Sequence, residues 1–189
     1  MRKVLLALML VALGAAAALL AQRGMSDLDL SRYVVIPHFD DKAAEHERNA
    51  FDAELDKAGI RGCANVFGAL GDVMTQGARY AASTAWDRQG RYISSSVALD
   101  FPAGTGSIKA AGVVFAASGR DGRCSGNFVR VFPVPADCGT FQQANLQDAK
   151  RRDDLAGLAV YDMPNGWSVT LLPTPAACVV VATASVSRG

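Results

Sequence analysis

The sequence lacks an excess of charge of either sign. Its 19 Lys and Arg residues nearly balance its 18 Asp and Glu residues, and the formal net charge is +1. Removing residues 1–21, which contain Arg2 and Lys3 but no acidic residue, leaves a net charge of −1. Binding to nucleic acid needs several cations that displace phosphate counterions, and adsorption to an anionic membrane needs a similar excess. The balance therefore argues against both.

Sequence motifs of common enzymes are also missing. No serine lies in G-x-S-x-G or is followed three residues later by lysine, as nucleophilic serines of known hydrolase classes are. The segment Gly104-Thr105-Gly106 lacks the third glycine of a dinucleotide site and the Gly-Lys-Ser/Thr of a phosphate loop. These absences favour a non-enzymatic role, and we expect no cofactor.

Closely spaced cysteine pairs are missing too, although the chain contains Cys63, Cys124, Cys138 and Cys178. Structural zinc sites use short spacings such as C-x2-C, and the nearest two cysteines here are 14 residues apart. Four cysteines in an exported chain indicate two disulfides. A strand over Gly126 to Phe132 would carry the chain away from Cys124, so we favour long-range pairs over Cys124–Cys138.

An export signal is the strongest feature that the sequence does contain. Arg2 and Lys3 precede an apolar run from Val4 to Ala21, which ends in small residues suited to a signal peptidase. Its 18 residues are also just long enough to span a bilayer. We favour a cleaved signal peptide, residues 1–21, followed by one exported domain, residues 22–189. The alternative is an uncleaved anchor in which residues 4–21 tether the domain to the inner membrane.

Apolar periodicity predicts an α+β fold. A short strand is expected over residues 33–36, and helices are expected over about residues 41–58, 63–76 and 140–155. Strands are expected over residues 78–86, 91–100, 109–117, 126–132, 158–163, 167–172 and 178–186. Tight turns between neighbouring strands indicate an antiparallel sheet of about six to seven strands. Two helices precede this sheet, and the third is inserted before its last three strands.

A weak candidate for a metal or acid–base site lies near the N-terminus. His38, Asp40, Asp41, Glu45 and His46 combine imidazole and carboxylate groups, which suit zinc or a similar divalent ion. The spacing matches no known ligand motif, and acidic residues at the start of a helix are expected from capping and the helix dipole. We therefore favour the capping interpretation and predict no metal.

Aromatic residues offer a second candidate site. Tyr80, Trp86, Tyr92 and Trp167 lie in or beside predicted strands, where they could form an exposed patch for protein or glycan contact. The alternative, half-buried packing on the sheet, is the more common use of such residues, and we favour it.

Together these features predict an exported, periplasmic or secreted, non-enzymatic protein. Our preferred hypothesis is a binding or assembly-accessory module of the bacterial cell envelope that acts through contacts with a partner protein. One alternative is a small exported hydrolase that uses the region of His38, Asp40 and His46. Another is a periplasmic inhibitor or immunity-type protein.

Overall fold

The computed structural model describes residues 49–61, 63–103, 106–152 and 154–188. These residues form three helices, α1 (Ala50–Ala58), α2 (Ala64–Thr75) and α3 (Cys138–Asn145). They also form eight strands, β1 (Arg79–Trp86), β2 (Tyr92–Ala103), β3 (Gly106–Ser118), β4 (Cys124–Val134), β5 (Lys150–Arg151), β6 (Ala159–Asp162), β7 (Ser168–Pro173) and β8 (Cys178–Arg188). The N-terminal leader and the strand expected at residues 33–36 lie outside the described residues. No helix within the described ranges combines the length and the apolar character needed to cross a membrane.

All eight strands belong to one antiparallel sheet in the order β1-β2-β3-β4-β8-β7-β6-β5. The strands β1 to β4 and β5 to β8 each follow one another as neighbours, and the two sets meet where β4 pairs with β8. This makes β8 a central strand, and its residues Val180, Ala182 and Ala184 are buried. The predicted α+β class and antiparallel pairing are confirmed.

The predicted strand count and the third helix are wrong. We expected six to seven strands, whereas the sheet has eight. The helix predicted over about residues 140–155 spans only Cys138–Asn145. It begins two residues earlier than predicted because Asp137 is its N-cap, whose side chain accepts a hydrogen bond from the Thr140 amide. The helix ends at the buried Leu146, and Lys150–Arg151 then pairs with β6 as an additional short strand.

The first two helices have clear local signals. The Asn49 side chain accepts hydrogen bonds from the Phe51 and Asp52 amides at the start of α1. At its end, which lies at the predicted residue 58, Gly59 adopts a φ of 67°, and the Ile60 amide donates to the carbonyl of Leu55. The predicted second helix agrees with α2 to within one residue at each end. The expected start of the first helix, near Asp41, lies outside the described residues.

All three helices lie on the same face of the sheet. α2 packs against β3 and β4, α1 packs against α2, and α3 packs against β7 and β8. The approach of α2 is close because Gly126 of β4 has no side chain: a Cβ atom there would lie 2.7 Å from both Leu70 Cδ1 and Val66 Cγ1. We call this the helix-covered face, and the opposite side of the sheet the open face.

Two disulfides fasten α2 and α3 to the helix-covered face. Cys63, just before α2, is bonded to Cys124 at the start of β4, and Cys138 at the start of α3 is bonded to Cys178 at the start of β8. Both pairs are long-range, with sequence separations of 61 and 40 residues. The local Cys124–Cys138 pair, which the sequence disfavoured, is not formed.

The close helix–sheet contact gives a first prediction. Gly126→Ala should lower the free energy of unfolding by about 1–3 kcal/mol, because the new Cβ overlaps Leu70, Val66 and the Phe115 carbonyl oxygen. Urea denaturation followed by circular dichroism measures the change. Gly106→Ala is the matched control, since its Cβ would approach no atom closer than 3.9 Å. Equal stability of the two variants would contradict the proposed contact.

Candidate functional site

The metal or acid–base candidates of the sequence analysis cannot be located in the fold. His38, Asp40, Asp41, Glu45 and His46 all lie outside the described residues. Within the part of the chain that the structure describes, no group of three or more His, Cys, Asp or Glu side chains could hold a metal ion. The prediction about this N-terminal region therefore stays a prediction.

The four aromatic residues do not form one patch. Tyr80 and Trp86 lie on the helix side of β1, where Tyr80 stacks on Phe51 with a centroid distance of 5.9 Å. Tyr92 points to the open face and stacks on Phe115. Trp167 is only 2% exposed and packs edge-on against Phe128. Tyr80, Trp86 and Tyr92 are exposed, at about 40% each, so these three side chains stay accessible on the sheet.

The open face is an accessible surface of the described sheet. Every second residue of β4 is buried and belongs to the helix-covered face: Cys124, Gly126, Phe128, Arg130, Phe132 and Val134. The residues between them point the other way and are exposed or intermediate in burial. The register carries this alternation across the neighbouring strands, since Val129 and Val131 lie opposite Val113 and Ala111 of β3. No described helix covers these side chains.

A groove of about 590 Å³ runs across the open face from β1 to β4. The side chains and backbone that line it are those of Ala81, Ala82, Ser83, Ser96, Val97, Ala98, Ala111, Gly112, Val113, Val129 and Val131. The groove forms because β1, β2 and β3 contribute mainly Ala, Ser and Gly to its lining. Their side chains extend less far from the sheet than those of the valines beside them. Among these lining residues there is no charged side chain, so the surface is suited to apolar contact.

The two ends of β2 place an aromatic pair and a charged cluster on the open face. At one end Tyr92 stacks on Phe115, with ring centroids 6.2 Å apart. At the other end the Asp100 carboxylate lies 2.6 Å from Arg79 Nη2 and 2.9 Å from Lys109 Nζ. Hydrogen bonds from Ser107 and Lys109, with the positive charges of Lys109 and Arg79, lower the pKa of Asp100 to about 2. An apolar groove thus lies between an aromatic pair and a charged cluster.

Arg130 lies on the opposite side of the sheet and is only 1% exposed. Its guanidinium donates a hydrogen bond to the Val73 carbonyl near the C-terminal end of α2, and it lies 5.8 Å from the ring centroids of both Phe101 and Phe128. Burial lowers its pKa to about 10, so it still carries a charge at neutral pH. A cation at the end of a helix is favourable, and we assign Arg130 to packing of α2 rather than to binding.

The chain matches no protein-family model, and it finds no significant match among curated proteins or among solved structures. The functional argument therefore rests on the open face itself.

The charged cluster gives a second prediction. The folded-state pKa of Asp100, about 2, is below its ordinary value of 3.8, so its ion pairs should stabilise the fold above about pH 4. This contribution should disappear as the pH falls through about 2. Carboxyl-detected NMR of the folded protein measures the titration directly, with Asp100→Asn to assign the signal. A midpoint near 3.8 would contradict the cluster.

Proposed function

We propose that the protein is an exported binding or assembly-accessory module of the bacterial cell envelope, which holds a partner protein on the open face of its sheet. The observation that carries this proposal is the uncharged groove across β1 to β4. Two disulfides support an extracytoplasmic location, because such bonds form and persist in oxidising compartments.

The chemistry of the groove favours a protein as its occupant. The centres of protein interfaces are depleted of charge and rich in apolar and aromatic side chains, while their rims are polar. The open face has this arrangement on a small scale, with alanines and valines in the groove and the Arg79–Asp100–Lys109 cluster beside it. Bulky apolar side chains of a partner would fill the space above Ala81, Ala98 and Ala111.

Photo-crosslinking from two exposed alanines tests this assignment. A photoreactive amino acid replaces Ala98 in the groove or, as the control, Ala53 on α1. In intact cells that produce the full chain, position 98 should capture the same envelope protein reproducibly, and position 53 should not capture it. Capture only of a second copy of this chain, capture of glycan, or equal capture from both positions would overturn the proposal.

A charge placed in the groove provides an independent measurement. Ala98→Arg introduces a cation into the uncharged surface, and it should reduce binding of the crosslinked partner at least about tenfold, which corresponds to about 1.4 kcal/mol. Ala53→Arg introduces the same charge on the helix side and should leave binding unchanged. Both variants should keep the wild-type melting temperature to within a few degrees. Full binding by Ala98→Arg would overturn the proposal.

A further inference from the structure

The two outer strands of the sheet differ in how well their edges are protected. β5 has two residues, and both are cationic. β1 has eight residues, of which seven are exposed, and Arg79 is its only charged residue. Among the described residues no strand pairs with the outer edge of β1. Exposed sheet edges are usually short, charged or interrupted by proline, because an open edge is a template for another strand. β1 has none of these protections in its interior.

A hydrogen bond in the turn after β1 shows which backbone N–H and C=O groups of β1 point toward β2 and which point toward the free edge. The Asp87 amide donates to the Tyr92 carbonyl, which marks Asp87 and Tyr92 as a hydrogen-bonded pair. Such pairs alternate along antiparallel strands. In the observed register, Ala81, Ser83 and Ala85 therefore direct their backbone groups toward β2. The residues between them direct their N–H and C=O groups toward the free edge: Tyr80, Ala82, Thr84 and Trp86.

The sequence of β1 is complementary to itself when it is read in the antiparallel direction. A two-fold axis through Ser83 places Tyr80 of each copy opposite Trp86 of the other, and Ala82 opposite Thr84. All the outward-facing residues then pair, and Arg79 lies opposite Asp87 of the second copy. Opposed aromatic residues and opposite charges both stabilise antiparallel strand pairs. Tyr80 and Trp86 are 40% and 39% exposed, so their side chains are accessible for this contact.

We infer that β1 is a self-association edge, which pairs antiparallel with β1 of a second copy of this chain about an axis through Ser83. The small residues between Tyr80 and Trp86 let the two backbones approach without obstruction. Because the axis is perpendicular to the sheet, both open faces lie on the same side of one continuous sheet. The dimer uses the outward-facing backbone groups of β1, whereas partner capture is measured at Ala98 of β2, so the two contacts are tested separately.

Cysteine crosslinking tests both the contact and its register in the full exported chain. The two Ser83 residues form a non-hydrogen-bonded pair, for which Cα atoms lie about 4.5 Å apart, within the range that a disulfide can span. Ser83→Cys should form a covalent dimer under mild oxidation. Ala85→Cys alone should not, because its counterpart is Ala81, whereas a mixture of Ala81→Cys and Ala85→Cys should crosslink. Failure of Ser83→Cys, or equal dimer formation by Ala85→Cys alone, would overturn the inference.

The solution mass gives a test that needs no added cysteine. Wild-type protein should sediment with twice the mass of one chain, and Ala82→Pro should halve that mass. The Ala82 amide points to the free edge, so proline removes no hydrogen bond to β2 and is tolerated at such positions. Ser83→Ala should remain dimeric, and circular dichroism confirms that the sheet is retained. A wild-type monomer at every concentration, or a folded Ala82→Pro dimer, would contradict self-association. Partner capture is measured separately, from Ala98 in a chain whose β1 is unchanged.

Discussion

The two disulfides brace the central strand pair of the sheet from opposite ends. Cys124 begins β4 and lies opposite Arg188, whereas Cys178 begins β8 and lies opposite Val134. Their partners, Cys63 and Cys138, lie where α2 and α3 begin. In the chain-entropy model, loops of 61 and 40 residues each give about 4 kcal/mol of stabilisation by restricting the unfolded chain. These covalent links join α2 and α3 to the two central strands.

Because the described helices lie on one face, the two sides of the sheet differ in accessibility. The helix-covered face holds the tightly packed side chains, including Phe128, Trp167 and the buried cation of Arg130. The contact of α2 with Gly126 is so close that it leaves no room for a Cβ atom. The groove of the open face and the edge of β1 are therefore the surfaces on which we base both functional proposals.

Local signals made much of the fold predictable from the sequence. Two-residue periodicity identified the long strands, and Gly59 marked the end of the first helix. The distance that a strand at Gly126 to Phe132 covers favoured the long-range cysteine pairs that the structure contains. At α3, Asp137 and Thr140 both suit an N-cap, and the helix ends at the buried Leu146, which carries no local stop signal such as glycine or proline. The two-residue strand β5 is too short to carry a periodic signal.

The candidate site was less predictable because it depends on non-local register. Alternation shows that Ala81 and Ser83 share a face, but it does not show that this face lies beside Ala98, Ala111 and Val129. Which side of each strand the helices cover was equally hidden, so Tyr92 and Trp167 could not be separated into an accessible and a buried residue. The self-complementary residue order of β1 can be read from the sequence. It indicates self-association only when the structure shows that β1 is an outer strand of the sheet.

Peptide mapping of the exported protein without reduction tests the central claim most directly. Mass spectrometry should identify one crosslinked peptide pair that contains Cys63 and Cys124 and another that contains Cys138 and Cys178, with no free thiol. This result would establish that the helices are bonded to the two central strands. A Cys124–Cys138 peptide, or four reduced cysteines, would contradict the bracing and with it the assignment of an open face.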